Sequence, residues 1–234
     1  MLALKAESIA DGFERVGKPA IFEYKYDGFR MLISKNEKGT IKIFTRRLDE
    51  VTKQFPDVLK YVKENILAKS FIIDSEAVGY NPNTKKYLPF QAVSQRIKRK
   101  YNIEKIIKDL PIEVNVFDIL YFNGKSLINE PLIERSKILK KIVIEKKFHL
   151  KVAEQLITDD EKEAEKFYKK ALEEGEEGLM IKNLNSVYKP GARVGYMLKL
   201  KPSNNEFDLV ITGAEYGTGK RVGTLSSFTL SCQD

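Results

Sequence analysis

Soft and redox-active side chains are scarce in this sequence. A single cysteine, Cys232, among 234 residues excludes a disulfide framework and any cysteine-based zinc site. A single histidine, His149, leaves no Ser-His-Asp arrangement to spare, no HExxH motif and no His-rich metal cluster. Cys232 has no partner and no charged setting, so an inert thiol is expected. His149 lies in an alternating stretch (FHLKVAEQL) and reads as a surface or core residue. No apolar run approaches the roughly 18–20 residues of a membrane span. The opening MLALKAESIADGFE reads as a short amphipathic helix and not as a signal peptide. With a reduced thiol, no export signal and no anchor, a cytoplasmic protein without a membrane partner is expected.

What is present is ample for a folded core: 42% of residues are hydrophobic, against 32% charged. The length of 234 residues fits one large domain, or one domain and a piece. Lys and Arg number 41 against 33 Asp and Glu, a net charge of +8 that favours an anionic partner such as nucleic acid or nucleotide. A lysine-rich but merely soluble surface would give the same total.

Alternation and apolar runs predict strands at 21–25, 29–34, 41–45, 71–78, 114–121, 149–156, 179–182 and 198–201. Asn123-Gly124 marks a tight turn. Helical spacing covers 56–65, 90–100, 103–110, 133–144 and 161–174, the last beginning after Thr158, Asp159 and Asp160 and stopping at Gly175. Strands and helices do not alternate one for one, which disfavours a doubly wound parallel sheet. An α+β architecture of mostly antiparallel sheets flanked by helices fits better. Segments 96–108 and 135–151 are basic, which a solvated helix face explains as well as a phosphate track does. The stretch 182–201 carries Lys182, Lys189, Arg193, Lys199 and Lys201 without an acidic residue, on strands and a Gly turn where they can converge.

The segment EYKYDGFR, 23–30, concentrates the chemistry. On a strand Glu23, Lys25 and Asp27 share one face, and Phe22, Tyr24 and Tyr26 share the other, most simply a core face. Gly28 permits a sharp turn that folds Arg30 back towards the same pocket. A lysine beside carboxylates and an arginine is a candidate nucleophile or phosphate ligand. A nucleophilic lysine must lose its proton, which desolvation and nearby cations favour. A structural Lys–Asp ion pair at a hairpin is the alternative.

This segment has the K-x-D-G-x-R pattern of the covalent nucleotidyltransferases. Other stretches resemble further motifs of that superfamily in order: Thr45-Arg46-Arg47, FIIDSEAV with Glu76, VFDILY with Phe117, EGLMIK with Glu177 and LKLK with Lys199 and Lys201. The stretches FTRRLDEVTKQFPDV, LPFQAVSQR, PLIERSKIL, YKPGAR and FDLVITGAEYGTGKR look most like ATP-dependent DNA ligases of archaea and eukaryotes, and the resemblance spans almost the whole chain. Ser75 stands where the family often has Gly.

The resemblance implies an adenylation domain whose Lys25 attacks the α-phosphate of ATP, expelling pyrophosphate and forming lysine–AMP. The adenylyl group would pass to the 5′-phosphate of nicked double-stranded DNA, and the 3′-hydroxyl would displace AMP and seal the nick. Glu23 would meet the adenine edge and Phe117 stack on the base. Arg30 and Arg46 would contact ribose or phosphate, with Arg193, Lys199 and Lys201 on the α-phosphate. Asp27, Gly28 and Lys182 would support the site. Glu76, a ribose or metal ligand, and Glu177 would hold Mg²⁺.

Residues 1–204 would form the adenylation domain and 205–234 the first strands of a truncated OB-fold. As such a fragment the chain is expected to bind ATP, to adenylylate itself poorly or not at all, and not to seal nicks efficiently alone. A monomer, with a sliding-clamp partner reached through regions outside this chain, is the accompanying expectation. Two alternatives stand beside this reading: an RNA ligase or capping-type nucleotidyltransferase, and a nucleotide- or nucleic-acid-binding module without turnover.

Overall fold

Period-two alternation of apolar residues organises the first two hundred residues into two sheets, as a computed structural model shows for residues 2–99, 101–202 and 208–232. The first sheet contains β1 (Leu2–Ala6), β2 (Ala20–Tyr24), β10 (Gln155–Thr158), β11 (Leu179–Asn183) and β12 (Arg193–Leu200), in the order β1-β12-β11-β2-β10. The second contains β3 (Phe29–Lys35), β4 (Ile41–Thr45), β5 (Phe71–Tyr80), β7 (Ile112–Phe122) and β8 (Lys125–Ser126), in the order β4-β3-β5-β7-β8. On it β6 (Tyr87–Leu88) pairs with β5, and β9 (Leu150–Val152) pairs with β7. The β1/β12 and β7/β9 ladders are parallel and the others antiparallel, so the α+β expectation holds.

Each sheet has its own core. Ile9, Phe13 and Val16 of the helix Ile9–Val16, with Ala164 and Ala171 of the helix Glu161–Glu173, bury against Phe22, Ile181 and Leu198. Val58 and Val62 of the helix Pro56–Asn65, with Leu139 and Ile142 of the helix Leu132–Ile142, bury against Ile33, Ile73 and Val114. Removing each such Val, Leu, Ile or Phe side chain from water contributes about 1.5–3 kcal/mol. The β7–β8 hairpin turns on Asn123 and Gly124 with φ of 43° and 92°, as expected of a two-residue turn. The Asp160 carboxylate caps the helix Glu161–Glu173 by accepting from the amides of Lys162 and Glu163.

Three expectations change. The opening segment is not one helix: Leu2–Ala6 is a strand and the helix begins at Ile9. The partner of β1 is the distant β12, so nothing local announces the strand. The stretch 149–156 divides between sheets, β9 against β7 and β10 against β2, because the chain changes sheet at Ala153-Glu154. The stretch 90–100 forms two short helices, Phe90–Val93 and Gln95–Lys98, with Lys100 outside the described residues.

The described structure divides into two compact units, Met1–Lys201 and Pro202–Asp234. In the second, β13 (Val210–Tyr216) and β14 (Leu225–Ser231) pair as an antiparallel hairpin. The boundary expected between 204 and 205 falls within 203–207, outside the described residues. Cys232 is a free, exposed thiol.

Candidate active site

The cleft of the first unit lies where the chain leaves one sheet for the other. Strand β2 is buried along its whole length between β10 and β11, and it ends at Tyr24. Residues 25–28 then cross to β3, which starts at Phe29 in the second sheet. Lys25 is fixed through its backbone: its amide donates to Gly178 O at 2.9 Å and its carbonyl accepts from the Glu177 amide at 2.9 Å. Two glycines make this crossing possible. A Cβ on Gly28 would stand 2.4 Å from Ala77 O, and one on Gly178, at φ +138°, would stand 2.1 Å from Leu200 O.

The resulting cavity has a volume of about 910 Å³. Glu23, Lys25, Gly28, Arg30, Arg46, Glu76, Phe117, Lys182, Arg193 and Lys199 all line it, as the sequence reading expects of them. Lys201, Asp27 and Glu177 do not line it directly but meet its edge. The Lys25 ammonium pairs with the Glu177 carboxylate, which also holds Lys201 at 2.7 Å. Lys25 and Glu177 keep side-chain exposures of 22% and 27%, so the pair is sheltered but reachable. Asp27 accepts from the Phe90 amide at 3.3 Å, tying the 90–98 segment to the crossing.

These surroundings shift the carboxylic acids in opposite directions. Burial pushes the Glu76 carboxyl up to about 8, only partly offset by Lys25 and Arg30. Burial also works against charge on Glu177, but the hydrogen bonds from Lys201 and Lys25 hold it below its ordinary range. Asp27 is raised by burial and by the neighbouring Glu177.

Phe117 has two cations near its ring. The Lys182 ammonium is 5.0 Å and the Arg30 guanidinium 5.9 Å from the ring centroid. Lys182 is itself buried against the Glu23 carboxylate, whose second oxygen accepts from Gln155 Nε2 at 2.6 Å. Both Glu23 oxygens therefore have partners inside the protein.

Sequence reasoning missed the residues that hold Arg30. Asp74 has no exposed surface; it accepts from Arg30 Nε at 2.8 Å and pairs with the same guanidinium through its other oxygen. The Tyr188 hydroxyl donates to Asp74 at 2.9 Å and accepts from Arg30 at 2.9 Å. Burial works against the Arg30 charge, yet the Asp74 carboxylate keeps the guanidinium more firmly protonated than usual. Asp74, an inward-facing acid in the strand stretch FIIDSEAV, is the signal that could have found this, because a buried carboxylate requires a partner. Ser75 uses its hydroxyl to donate to Met31 O across the ladder at 2.9 Å. His149 packs against Tyr61, ring centroids 4.5 Å apart and tilted by 57°, and does not line the cleft.

Residues 1–201 match the family model described as the ATP dependent DNA ligase domain. The chain belongs to this family. Over its full length this ligase-family chain is 48% identical to a DNA ligase of Nanoarchaeum equitans and 43% identical to one of Thermococcus fumicolans. It spans 41% of the length of each of these relatives. Among solved structures, Pmar-Lig_PreS3 is similar with a TM-score of 0.71 at 22% identity, over 99% of this chain and 53% of that one. A mycobacterial DNA ligase D complexed with ATP and MES gives 0.64 at 22% identity, over 98% and 66%. The bacteriophage T7 ATP-dependent DNA ligase in complex with ATP gives 0.59 at 20% identity, over 97% and 76%. At such identities the structural likenesses establish the ligase-domain fold and nothing finer.

Proposed function

We propose that this chain is the nucleotide-loading part of an ATP-dependent DNA ligase, with Lys25 as the nucleophile. The observation that carries the proposal is the position of Lys25: at the crossing between the sheets, on the rim of a cleft lined with cations, against a carboxylate that also holds Lys201. The cations suit a triphosphate, and Phe117 offers a face for a base. Lys25 Nζ, oriented by its pair with the Glu177 carboxylate, gives up a proton to solvent and attacks the α-phosphorus. An N–P bond forms and the P–O bond to pyrophosphate breaks. Arg193, Lys199 and Lys201 neutralise the charge that develops on the phosphoryl oxygens. The phosphoramidate keeps the adenylyl group activated for transfer to a 5′-phosphate of nicked DNA, and the strand is sealed in the longer protein.

A divalent cation fits the donor set. Among the described residues there is no group of three or more His, Cys, Asp and Glu able to cage a metal. Glu76 and Glu177 supply two carboxyl groups near Lys25, Glu76 shedding its proton as a cation binds, and Mg²⁺ is ordinarily bound by one or two carboxylates together with substrate phosphates and water. Held there, it would neutralise phosphate charge and align the α-phosphate. A sliding-clamp partner and a monomeric state belong to the same reading and rest on the resemblance alone; cytoplasmic residence rests on the sequence composition alone.

Incubation with labelled ATP, GTP or NAD tests this. Slow labelling or none is expected of this chain by itself; where label from ATP is taken up, it is expected on Lys25 and absent from Lys25→Ala. Label from GTP alone would replace the ligase reading with the capping-type alternative.

A further inference from the structure

Strand β7 turns alternate residues to the two sides of the second sheet. Val114 and Val116 join the core under the helices, while Glu113, Asn115 and Phe117 face the other way, where Phe117 lines the cleft. Register extends this side into a polar row: Arg30 pairs with Glu76, Glu76 with Asn115, and Asn115 with Lys151. Arg30 and Glu76 line the cleft. Asn115, the next position along the row, has no exposed surface.

Glu113 is as deeply buried as Asn115, yet the two are treated oppositely by their surroundings. The Glu113 carboxylate accepts from the Tyr87 hydroxyl at 2.7 Å and from the Phe148 amide, and it pairs with Lys151 at 3.3 Å. Both ends of the Asn115 carboxamide, Oδ1 and Nδ2, are buried without a hydrogen-bond partner among the described residues. An amide left in that condition destabilises the fold, and an apolar side chain of similar shape would not. Residues directly opposite on an antiparallel ladder have Cβ atoms about 4.5–5.5 Å apart, which brings the Glu76 side chain within reach of this amide. The two do not bond to one another here, so the contact is one that Glu76 makes only by turning.

We propose that Asn115 is a positioning residue for Glu76. As a nucleotide enters, Nδ2 of Asn115 donates to a carboxyl oxygen of Glu76 and fixes the orientation in which Glu76 meets the ribose hydroxyls. Asn115 itself touches no substrate atom. The proposal rests on the nucleotide-loading reading for its ligand, but neither on Lys25 being the nucleophile nor on which base is bound.

Calorimetry of the chain with ATP, 2′-deoxy-ATP and 3′-deoxy-ATP, paired with urea unfolding, tests this. Asn115→Leu removes both polar ends of the side chain. Its denaturation midpoint is expected to equal or exceed that of the parent. Its affinity for ATP is expected to fall about tenfold, and its preference for ATP over the deoxynucleotides to shrink, because two residues that act as a unit fail together. On a Glu76→Ala background the same substitution is expected to weaken binding no further. Asn115→Thr keeps a hydroxyl donor and is expected to fall between the leucine variant and the parent. Its loss should likewise vanish beside Glu76→Ala, and this arm decides the matter if the leucine variant does not fold. A lowered midpoint with unaltered nucleotide affinity would overturn the proposal by giving the amide its partners inside the fold. So would losses that add in the double variants. A parent chain that binds GTP in preference to ATP would defeat the ligase reading, whereas the same coupled loss measured with GTP would leave the positioning role standing.

Discussion

Arg135 and Lys25 each meet a carboxylate on another element, Arg135 one 17 positions back and Lys25 one much farther along, but in opposite settings. Arg135 has no exposed surface: it grips Asp118 at 2.7 and 3.0 Å and donates to Ser186 O at 3.1 Å, so every part of the fork is engaged. Lys25 shares Glu177 with Lys201 in a place water and substrate can reach. The first arrangement locks the helix Leu132–Ile142 and the 183–188 segment onto β7, and its charges cannot change partners without unfolding that corner. The second leaves one carboxylate between two ammonium groups, an arrangement that an arriving phosphate can rearrange. Buried Arg–carboxylate forks thus define the walls of this cleft, whereas half-exposed lysines define its chemistry.

The comparison is broken most completely at Lys25. Lys25→Ala is expected to abolish covalent label from ATP, with no detectable residue by autoradiography, while urea unfolding shifts little because the lost pair is partly exposed. Arg135→Ala should behave in the reverse manner. It strands the Asp118 carboxylate in the interior and is expected to destabilise the first unit by about 3–5 kcal/mol, read as a fall in the denaturation midpoint. If Arg135→Ala lost label but kept its midpoint, the division between wall and chemistry would be wrong.

The same division explains what could be read from the sequence. The strand at 41–45 and the helix at 56–65 were legible residue by residue, because alternation and helical spacing are local. So were the cations that line the cleft, because the motifs keep them on strands or strand ends; the row Glu23, Lys25 and Asp27 was not, because β2 ends at Tyr24 and the crossing carries Asp27 to the Phe90 amide. The locks were not legible. Asp118 sits in the apolar VFDILY and Arg135 on a helix that reads as amphipathic; nothing local pairs them across the intervening turn and hairpin. The Tyr188–Asp74 bond spans 114 positions and Leu2–Ala6 finds its parallel partner at the far end of the unit. Contacts of that range are fixed by packing, not by pattern.

Lys201→Ala tests the half-exposed side more finely. Removing it leaves Glu177 to Lys25 alone, so the ground state of the nucleophile becomes a tighter single pair while a cation near the α-phosphate is lost. Both effects slow the first step, and a fall in labelling rate of about tenfold or more is expected in single-turnover measurements. Stability should change by no more than about 1 kcal/mol, since Lys201 is 43% exposed.

The smallest effect belongs to Tyr188→Phe, which lies on the border between the two classes. The substitution keeps the ring that lines the cleft and removes only the hydroxyl bridging Asp74 and Arg30. The direct Arg30–Asp74 fork survives, so the guanidinium stays charged and in place on one side. What is lost is one donor to Asp74 and one acceptor from Arg30, together worth about 1 kcal/mol of stability in denaturant titration. If Arg30 contacts the nucleotide, loss of this hydroxyl should weaken ATP binding by several-fold while the maximal labelling rate stays close to the parent. A change confined to the rate would instead place Tyr188 against the reacting phosphate. Stability loss with unaltered nucleotide binding would move Arg30 out of the cleft's chemistry and into its walls, beside Arg135.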